Sequence, residues 1–156
     1  MLAAVVSDTH RYKFAISKVI NKVKNADILI HLGDNIDDAA SLSSEFSGKI
    51  ISVRGNCDFS NKIESECTEI IEGKTFFITH GHKYDVKYSI DTILDKGKSI
   101  NADIVLYGHT HISQIEYIDG IWIVNPGSPS LPRDGFPSIA TIEIDGGKIV
   151  PSILRL

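Results

Sequence analysis

The chain carries seven side chains of metal-ligand type, and each follows a short apolar run. They are Asp8, His10, Asp34, Asn56, His80, His109 and His111. Carboxylate, amide and imidazole donors without a thiolate suit borderline divalent ions such as manganese, iron, nickel, cobalt and zinc. Seven ligands exceed the three or four that a single catalytic zinc ion takes. They fit two ions roughly 3.5–4 Å apart, which is the arrangement for in-line displacement at phosphorus.

Each of these features has an ordinary structural explanation when it is taken alone. Asp8 precedes a helical pattern and could be a helix N-cap, while Gly33-Asp34 and Gly55-Asn56 could be simple turns. The Gly-His-Thr-His sequence that ends at His111 is more specific, because two imidazoles leave one strand together beside a glycine. With His80, which follows another apolar run, these make five features in one order. Packing alone does not easily explain them, so the sequence predicts a metal centre.

Short apolar runs rich in β-branched residues predict the strands that position these side chains. The runs cover residues 2–6, 28–32, 50–53, 75–78, 104–107 and 121–124. In an open α/β sheet, ligands bind beyond the carboxyl ends of the strands. We therefore expect the polar residues that follow the runs to meet at one edge of the sheet.

Helical patterns separate some of these runs, and hairpin patterns follow them. One helix face is predicted by Ile16, Val19, Ile20 and Val23, a weaker one by Ile90, Ile93 and Leu94, and a short helix over residues 41–46. Tight glycine turns predict two hairpins, of residues 114–118 with 121–124 and of residues 139–144 with 148–154. Cys67 is expected to open a further strand. This order predicts an α/β fold with mixed sheets, packed face to face with helices outside.

Length, charge and cysteine content exclude several other classes of protein. The chain has 156 residues and a net charge of -4, so we expect one domain over residues 1–156 and no basic surface for nucleic-acid binding. No apolar run approaches the roughly 18 residues of a membrane span, and the opening run of residues 2–6 is too short for the apolar part of a signal sequence. Cys57 and Cys67 form neither a disulfide framework nor a zinc motif. These features predict a cytoplasmic protein, and they leave open whether it forms a homo-oligomer.

The motif series resembles that of the calcineurin-like metallophosphoesterases. The resemblance rests on the Asp-x-His, Gly-Asp, Gly-Asn, His and Gly-His-x-His motifs at residues 8–10, 33–34, 55–56, 80 and 108–111. The short chain and the segments 55–58 and 125–128 resemble the small YfcE-like phosphodiesterase branch. The resemblance implies a four-layer αββα sandwich and a binuclear-metal-dependent phosphoesterase, with a phosphodiesterase as first choice. Its substrate would be a small phosphate ester.

The resemblance also implies a role for each ligand. One ion would take Asp8, His10 and His111, the other Asn56, His80 and His109, and Asp34 would bridge the two ions. Manganese is the first choice of metal, and nickel, iron, cobalt and zinc are alternatives. A hydroxide that bridges the ions would attack phosphorus, because coordination lowers the pKa of water from 15.7 to about 7.

One position departs from the pattern of many relatives. Where those proteins have a histidine that protonates the leaving oxygen, this chain has Cys57. A thiol with a reference pKa of about 8.5 is a weaker donor than imidazolium near neutral pH. We therefore expect good leaving groups to be hydrolysed readily and alkoxides poorly. Asp58 and His82 are candidate replacements for that acid, or they hydrogen-bond to ligands instead. With Asp34 and Asn56, these three residues form the predicted catalytic set.

Several residues and two further functions stay as alternatives. His31 is expected to pack or to support a ligand, and Asn125 and Ser128 to shape the pocket floor or a turn. Arg54 and Arg133 could contact a substrate phosphate or lie on the solvated surface. A scaffold of the same fold that binds proteins, as the vacuolar sorting subunit of retromer is understood, is the main alternative to an enzyme. A phosphomonoesterase is the other. The complete ligand set favours the enzyme.

Overall fold

The computed structural model describes residues 1–38, 42, 45–59 and 62–156, and it forms two five-stranded sheets. The strands are β1 Leu2–Val6, β2 Ile28–His31, β3 Lys49–Ser52, β4 Glu66–Ile71, β5 Lys74–Thr79, β6 Ile104–Leu106, β7 Ser113–Ile118, β8 Ile121–Pro126, β9 Ser138–Asp145 and β10 Lys148–Arg155. The helices are α1 Lys13–Val23 and α2 Asp91–Ser99, with a 3-10 turn at His82–Tyr84. Residues 41, 43 and 44 of the short helix expected over residues 41–46 lie outside the described residues.

In each sheet, three adjacent strands run parallel and two further strands join by antiparallel pairing. The first sheet has the order β10-β9-β1-β2-β3, and the second has the order β4-β5-β6-β8-β7. β1, β2 and β3 run parallel, as do β5, β6 and β8. Parallel neighbours end at the same edge, so the segments that follow β1, β2, β5 and β6 are brought to one end of the molecule.

Apolar side chains from both sheets form the central core, which confirms the face-to-face packing. Val5 and Ile30 of the first sheet share this cluster with Phe76 and Leu106 of the second. A second cluster joins the outer face of the first sheet to α1. A third joins the outer face of the second sheet to α2. The layers therefore run helix, sheet, sheet, helix, as the motif resemblance implied.

The two predicted helix faces and both hairpins are confirmed, with small shifts at strand ends. β7 pairs with β8, and β9 with β10, in antiparallel register. β2 ends at His31 and β6 ends at Leu106, one residue before the expected ends. Leu32 and Tyr107 are still buried, and their N–H groups donate to Val6 and Val124 of neighbouring strands. The apolar pattern continues past the strand because both residues remain in the core.

No described helix is long and apolar enough to cross a membrane.

Candidate metal centre

Two residues near the start of the chain and one that lies 101 positions later form the first ligand group. They are Asp8, His10 and His111, whose ligand atoms all lie within 4.8 Å of one another. Asp8 Oδ1 is 3.2 Å from His111 Nε2, and the Nε2 atoms of His10 and His111 are 3.3 Å apart. Asp8 and His10 follow β1 of the first sheet, whereas His111 follows β6 of the second.

The second ligand group adjoins the first and also takes residues from both sheets. It consists of Asp34 after β2, His80 after β5 and His109 after β6. His80 Nε2 is 3.4 Å from Asp34 Oδ1 and 3.2 Å from His109 Nδ1. The same nitrogen is 4.0 Å from Asp8 Oδ1 of the first group. The two groups therefore form one continuous cluster of carboxylates and imidazoles.

The donor atoms of this cluster fit bound divalent ions. Asp8 is fully buried, and its Oδ1 has no hydrogen-bond partner within the described part of the chain. The Nδ1 atoms of His80 and His111 contact the backbone oxygens of Leu32 and Leu131, at 2.8 and 2.7 Å. Donation to those carbonyls puts the proton on Nδ1 and turns the lone pair of Nε2 towards the cluster, as metal-binding histidines require.

The pKa values of the carboxylates suit a site for cations. Burial alone would raise the pKa of Asp8, but interactions with His111 and His80 outweigh it, so the pKa lies below its usual range. The pKa of Asp34 is also lowered, because its contacts with His80 and the Cys57 backbone N–H outweigh the effect of burial. Both side chains are therefore ionised near neutral pH and can act as anionic ligands.

The imidazoles divide into two kinds. Burial, together with the charges of His80 and Lys87, lowers the pKa of His109 to about 4. The contact with Asp8 raises the pKa of His111, although burial and the charge of Arg133 oppose this. The pKa of His80 is raised because contacts with Asp34 and Asp8 outweigh burial. An imidazole must be neutral to bind a metal, so ion binding at His80 and His111 releases protons.

The backbone at the ligands adopts a conformation that side chains rarely take. Asp8, His10, Asp34, His109 and His111 all have positive φ values, between 48° and 68°. Left-handed conformations of residues other than glycine cost of order 1–3 kcal/mol each and concentrate at functional sites. The surrounding fold must hold these five residues in place, and the site is the most strained part of the described backbone in this respect.

The glycine before His109 permits the closest approach of the two sheets. A Cβ added at Gly108 would overlap the Ser7 hydroxyl and lie 2.9 Å from Asp8 Oδ2. The N–H of His109 donates to that same Asp8 oxygen at 3.0 Å. The glycine in the Gly-His-x-His motif therefore has a steric reason, which is the contact between the β1 and β6 segments.

The segment after β8 supports the cluster from behind. The hydroxyls of Ser128 and Ser130 donate to the backbone oxygen of Asp8, at 2.8 and 2.9 Å. The Asn125 amide donates to Gly108 O and to Thr110 Oγ1, both at 3.0 Å. Asn125 and Ser128 thus hold the ligand loops by hydrogen bonds, which gives the Asn-Pro-Gly-Ser segment a positioning role.

Asn56 and Cys57 lie at the rim of the cluster rather than inside it. Both are exposed, and the Asn56 amide is 3.5 Å from the Cys57 sulfur. β3 ends at Ser52, so Asn56, like His10, lies four residues past the end of its strand. Partial burial, followed by the contact with Asp34, raises the pKa of the Cys57 thiol to about 11. The thiol is therefore protonated near neutral pH, which argues against a nucleophilic cysteine.

The Asp58 carboxylate accepts four backbone hydrogen bonds. Oδ2 accepts from the N–H groups of Asp34 and Gly55, at 2.9 and 2.8 Å. Oδ1 accepts from the N–H groups of Asn35 and Ile36, both at 2.8 Å. This arrangement uses the lone pairs of both oxygens. The structure thus favours the supporting role for Asp58 over that of a proton donor.

His82 and His31 occupy different positions around the cluster. The ring centroid of His82 is 5.4 Å from that of His80 and 6.2 Å from that of His109, beside the second group. Its Nδ1 is buried and has no partner among the described residues. His31 is fully buried, accepts the N–H of Gly33 at 3.2 Å, and contacts the Thr9 hydroxyl at 3.3 Å. His31 therefore supports the loops and does not face the ligand groups.

The family model of the calcineurin-like phosphoesterase superfamily domain matches residues 1–147. The chain belongs to this superfamily. A probable metallophosphoesterase of Methanocaldococcus jannaschii is 35% identical over 160 residues, 97% of this chain and 81% of that protein. The phosphodiesterase YfcE of Escherichia coli is 30% identical over 106 residues, 61% of this chain and 52% of that protein. These phosphoesterase relatives confirm the resemblance that the motifs indicated.

Solved structures agree with this assignment of the phosphoesterase fold. An archaeal phosphodiesterase matches with a TM-score of 0.81 and 27% identity, over 99% of this chain and 100% of that one. Vps29 of Entamoeba histolytica in complex with Zn²⁺ matches with a TM-score of 0.78, over 99% of each chain. Its identity is only 16%, so that likeness concerns the fold alone.

Sequence reasoning missed the network that supports the phosphoesterase ligand loops. Thr9 Oγ1 donates to Asp38 Oδ2 at 2.6 Å, and the N–H of Arg11 donates to the same oxygen at 2.8 Å. This bond ties the loop after β1 to the loop after β2. The only signal in the sequence was that Thr9 and Asp38 flank ligand motifs, which does not identify a pair 29 residues apart.

Proposed function

We propose that this chain is a binuclear-metal-dependent phosphodiesterase for small phosphate esters. The observation that supports it best is the pair of adjoining ligand groups, each with one carboxylate and two imidazoles. The phosphodiesterase names of two relatives favour a diester over a monoester. Two carboxylates against two dications would leave a local charge near +2. Such a charge attracts a phosphate anion even on a chain with a net charge of -4.

Each ligand has a proposed task. Asp8, His10 and His111 would hold one ion, and His80 and His109 with Asn56 the other, while Asp34 serves both. When bound, the two ions activate water and neutralise charge on the phosphoryl oxygens. The carbonyls of Leu32 and Leu131 keep His80 and His111 in the required tautomer and orientation. Positions held this firmly before the substrate arrives reduce the reorganisation that the reaction needs.

Asn56 would have to turn from Cys57 towards the second group to complete this ligand set. Its exposed position leaves the side chain free of the core, and the contact with the Cys57 sulfur is a weak hydrogen bond. Cys57 and His82 are proposed to face the leaving group of the bound ester. Asp58 is left out of the proton-transfer set because its oxygens accept four backbone N–H groups.

The proposed function is tested by metal-dependent turnover of two model esters. The protein is stripped with a chelator and reloaded separately with Mn²⁺, Ni²⁺, Zn²⁺ or Mg²⁺. We expect no activity in the stripped protein, and metal-restored hydrolysis that favours bis-p-nitrophenyl phosphate over p-nitrophenyl phosphate. Manganese is expected to restore it best. A preference for the monoester would point to a phosphomonoesterase, and no turnover with any metal would contradict an enzyme.

Cys57 gives a separate prediction about the leaving group. Cys57→His should raise kcat/KM for diesters with alkoxide leaving groups by at least about tenfold, because general acid catalysis contributes about 10²–10⁴. Diesters with p-nitrophenolate need little protonation and should change little. The measurement is kcat/KM over a series of leaving-group pKa values, for both the parent protein and the variant. No gain on the poorest leaving groups would refute this explanation of Cys57.

The scaffold remains the second candidate, and the Vps29 likeness is the observation that favours it. Because that Vps29 structure contains Zn²⁺, metal binding alone does not separate a scaffold from an enzyme. Turnover of a phosphate ester does separate them.

We also propose that residues 1–156 form one phosphoesterase domain that works in the cytoplasm. Cys57 and Cys67 are both free thiols, as is typical of a reducing compartment.

A further inference from the structure

A pocket of about 250 Å³ lies beside the two ligand groups. Its wall consists of Val86, Lys87, Thr110, Ile112, Gln114 and Arg133. Thr110 separates His109 from His111 in the sequence, and the N–H of Arg133 donates to the backbone oxygen of His111 at 2.9 Å. The pocket therefore shares a segment of chain with the candidate metal centre.

The two cations of this pocket are not neutralised. The side chains of Lys87 and Arg133 are exposed, and within the described ranges no carboxylate pairs with either of them. Asp85 lies two residues before Lys87 but forms no ion pair with it in the described part of the chain, and two other acidic residues have different partners. Asp134 accepts the N–H of Ser113 at 2.7 Å, and Glu116 accepts the amide of Gln114. On a chain with an excess of acidic residues, two unpaired cations at one pocket create a local positive field.

Both cations stand beside segments that carry the ligands. Lys87 follows Val86, whose side chain lies against Gly81, the residue after His80, and the backbone N–H of Arg133 donates to His111. The same wall includes the apolar side chains of Val86 and Ile112 and the hydroxyl-bearing side chain of Thr110. The pocket thus combines two cations with a short apolar wall beside the candidate metal centre.

We propose that this pocket binds a second oxyanion, a carboxylate or a phosphate, carried by the ester group that stays on the phosphorus. The inference rests on the proposed function and adds the class of diester. Bound ions would already neutralise the reacting phosphate, so a diester with two uncharged ester groups leaves Lys87 and Arg133 without a partner. The planar guanidinium of Arg133 can bind an oxyanion in bidentate fashion, and Lys87 adds a point charge. Val86 and Ile112 would contact the aliphatic linker.

The test uses p-nitrophenyl diesters that differ only in the second alcohol. The second ester group is propyl, carboxyalkyl or phosphonoalkyl. The alkyl linker of the two anionic groups is varied over the same range of lengths. Because p-nitrophenolate leaves in every case, the chemistry of bond cleavage stays constant. At the best linker length, we expect kcat/KM of an anionic diester to exceed that of the propyl diester by about tenfold or more, the effect of one charge-assisted contact.

Lys87→Gln, Arg133→Gln and the double variant then locate the preference. Each single substitution should reduce the ratio of anionic to propyl kcat/KM, and the double variant should bring it close to one. The change should appear mainly in KM, because the contact is made equally in the ground and transition states. Lys22→Gln on α1 is the matched control, since it removes an exposed cation from the helix that packs against the first sheet and should leave the ratio unchanged.

The outcomes separate this inference from the proposed function. A larger ratio for the phosphonoalkyl or for the carboxyalkyl series identifies which oxyanion the pocket prefers, and either supports the inference. Turnover of the propyl diester without any preference for an anionic one would overturn the inference alone. So would a preference that survives in the double variant. If no diester is hydrolysed with any metal, the proposed function fails and the inference fails with it.

Discussion

Asp34→Asn should lower kcat/KM for bis-p-nitrophenyl phosphate by at least about a thousandfold, near the upper limit for one electrostatic group in an active site. Asp34 Oδ1 is 3.4 Å from His80 Nε2 and also accepts the N–H of Cys57 at 2.9 Å. An amide carries no charge, so the variant weakens the second ligand group and, through the proposed bridge, the first. Steady-state kinetics with saturating Mn²⁺ measure the loss.

Cys57→Ala is the matched comparison, because it changes the neighbouring residue and keeps every ligand. We expect it to cost less than about tenfold on the same p-nitrophenyl diester, since that leaving group needs little help from an acid. The melting temperatures of both metal-free variants show whether the fold is intact. Metal content, measured after dialysis, should fall in Asp34→Asn and not in Cys57→Ala. Comparable activity losses in the two variants would contradict the bridging assignment.

Asp58→Ala should lower the free energy of unfolding by about 3 kcal/mol or more, because it removes a charged acceptor from several backbone N–H groups at once. Four N–H groups of the loops after β2 and β3 converge on this carboxylate. The loops would lose their common partner, and Asp34 would lose its fixed position. Urea unfolding of the metal-free protein measures the effect without any contribution from ion binding.

Asp37→Ala is the control for this experiment. Asp37 directly follows Ile36, whose N–H donates to Asp58. Its side chain is 83% exposed, and among the described residues its carboxylate pairs with the exposed Arg11 guanidinium at 3.7 Å. Its removal should change the free energy of unfolding by no more than about 0.5 kcal/mol. If Asp58→Ala were as stable as the parent protein and lost activity only on poor leaving groups, Asp58 would be a proton donor and the supporting role would be wrong.

The sequence predicts the strands and the convergence of the ligands well, because both depend on local patterns. A run such as residues 2–6 predicts a buried strand, and the parallel pairing of β1 with β2 then brings Asp8 and Asp34 to one edge. Strand ends are predicted less well, since Leu32 and Tyr107 stay buried one residue beyond the ends of β2 and β6. The apolar pattern of the sequence predicts which residues are buried, but it does not predict the residue at which the strand ends.

The interactions that support the site could not be read from the sequence. Asp58 stands beside Cys57, so its type and place favoured a catalytic acid as much as a backbone acceptor. Only the folded loops show that four N–H groups face it. No motif marks Lys87 as a functional residue, because a single lysine between a valine and a tyrosine forms no recognisable pattern. Its meaning depends on Arg133, which is 46 positions later and meets it only across a pocket.

Each ligand group takes residues from both sheets, and this has a consequence for folding. The first group joins Asp8 of the first sheet to His111 of the second, and the second joins Asp34 to His80. An ion bound by either group would therefore cross-link the two sheets. The first group would close a chain loop of 103 residues and the second a loop of 46 residues. A cross-link that closes a long loop removes entropy mainly from the unfolded chain. Loss of the ions should therefore abolish activity and also make the two sheets unfold less cooperatively.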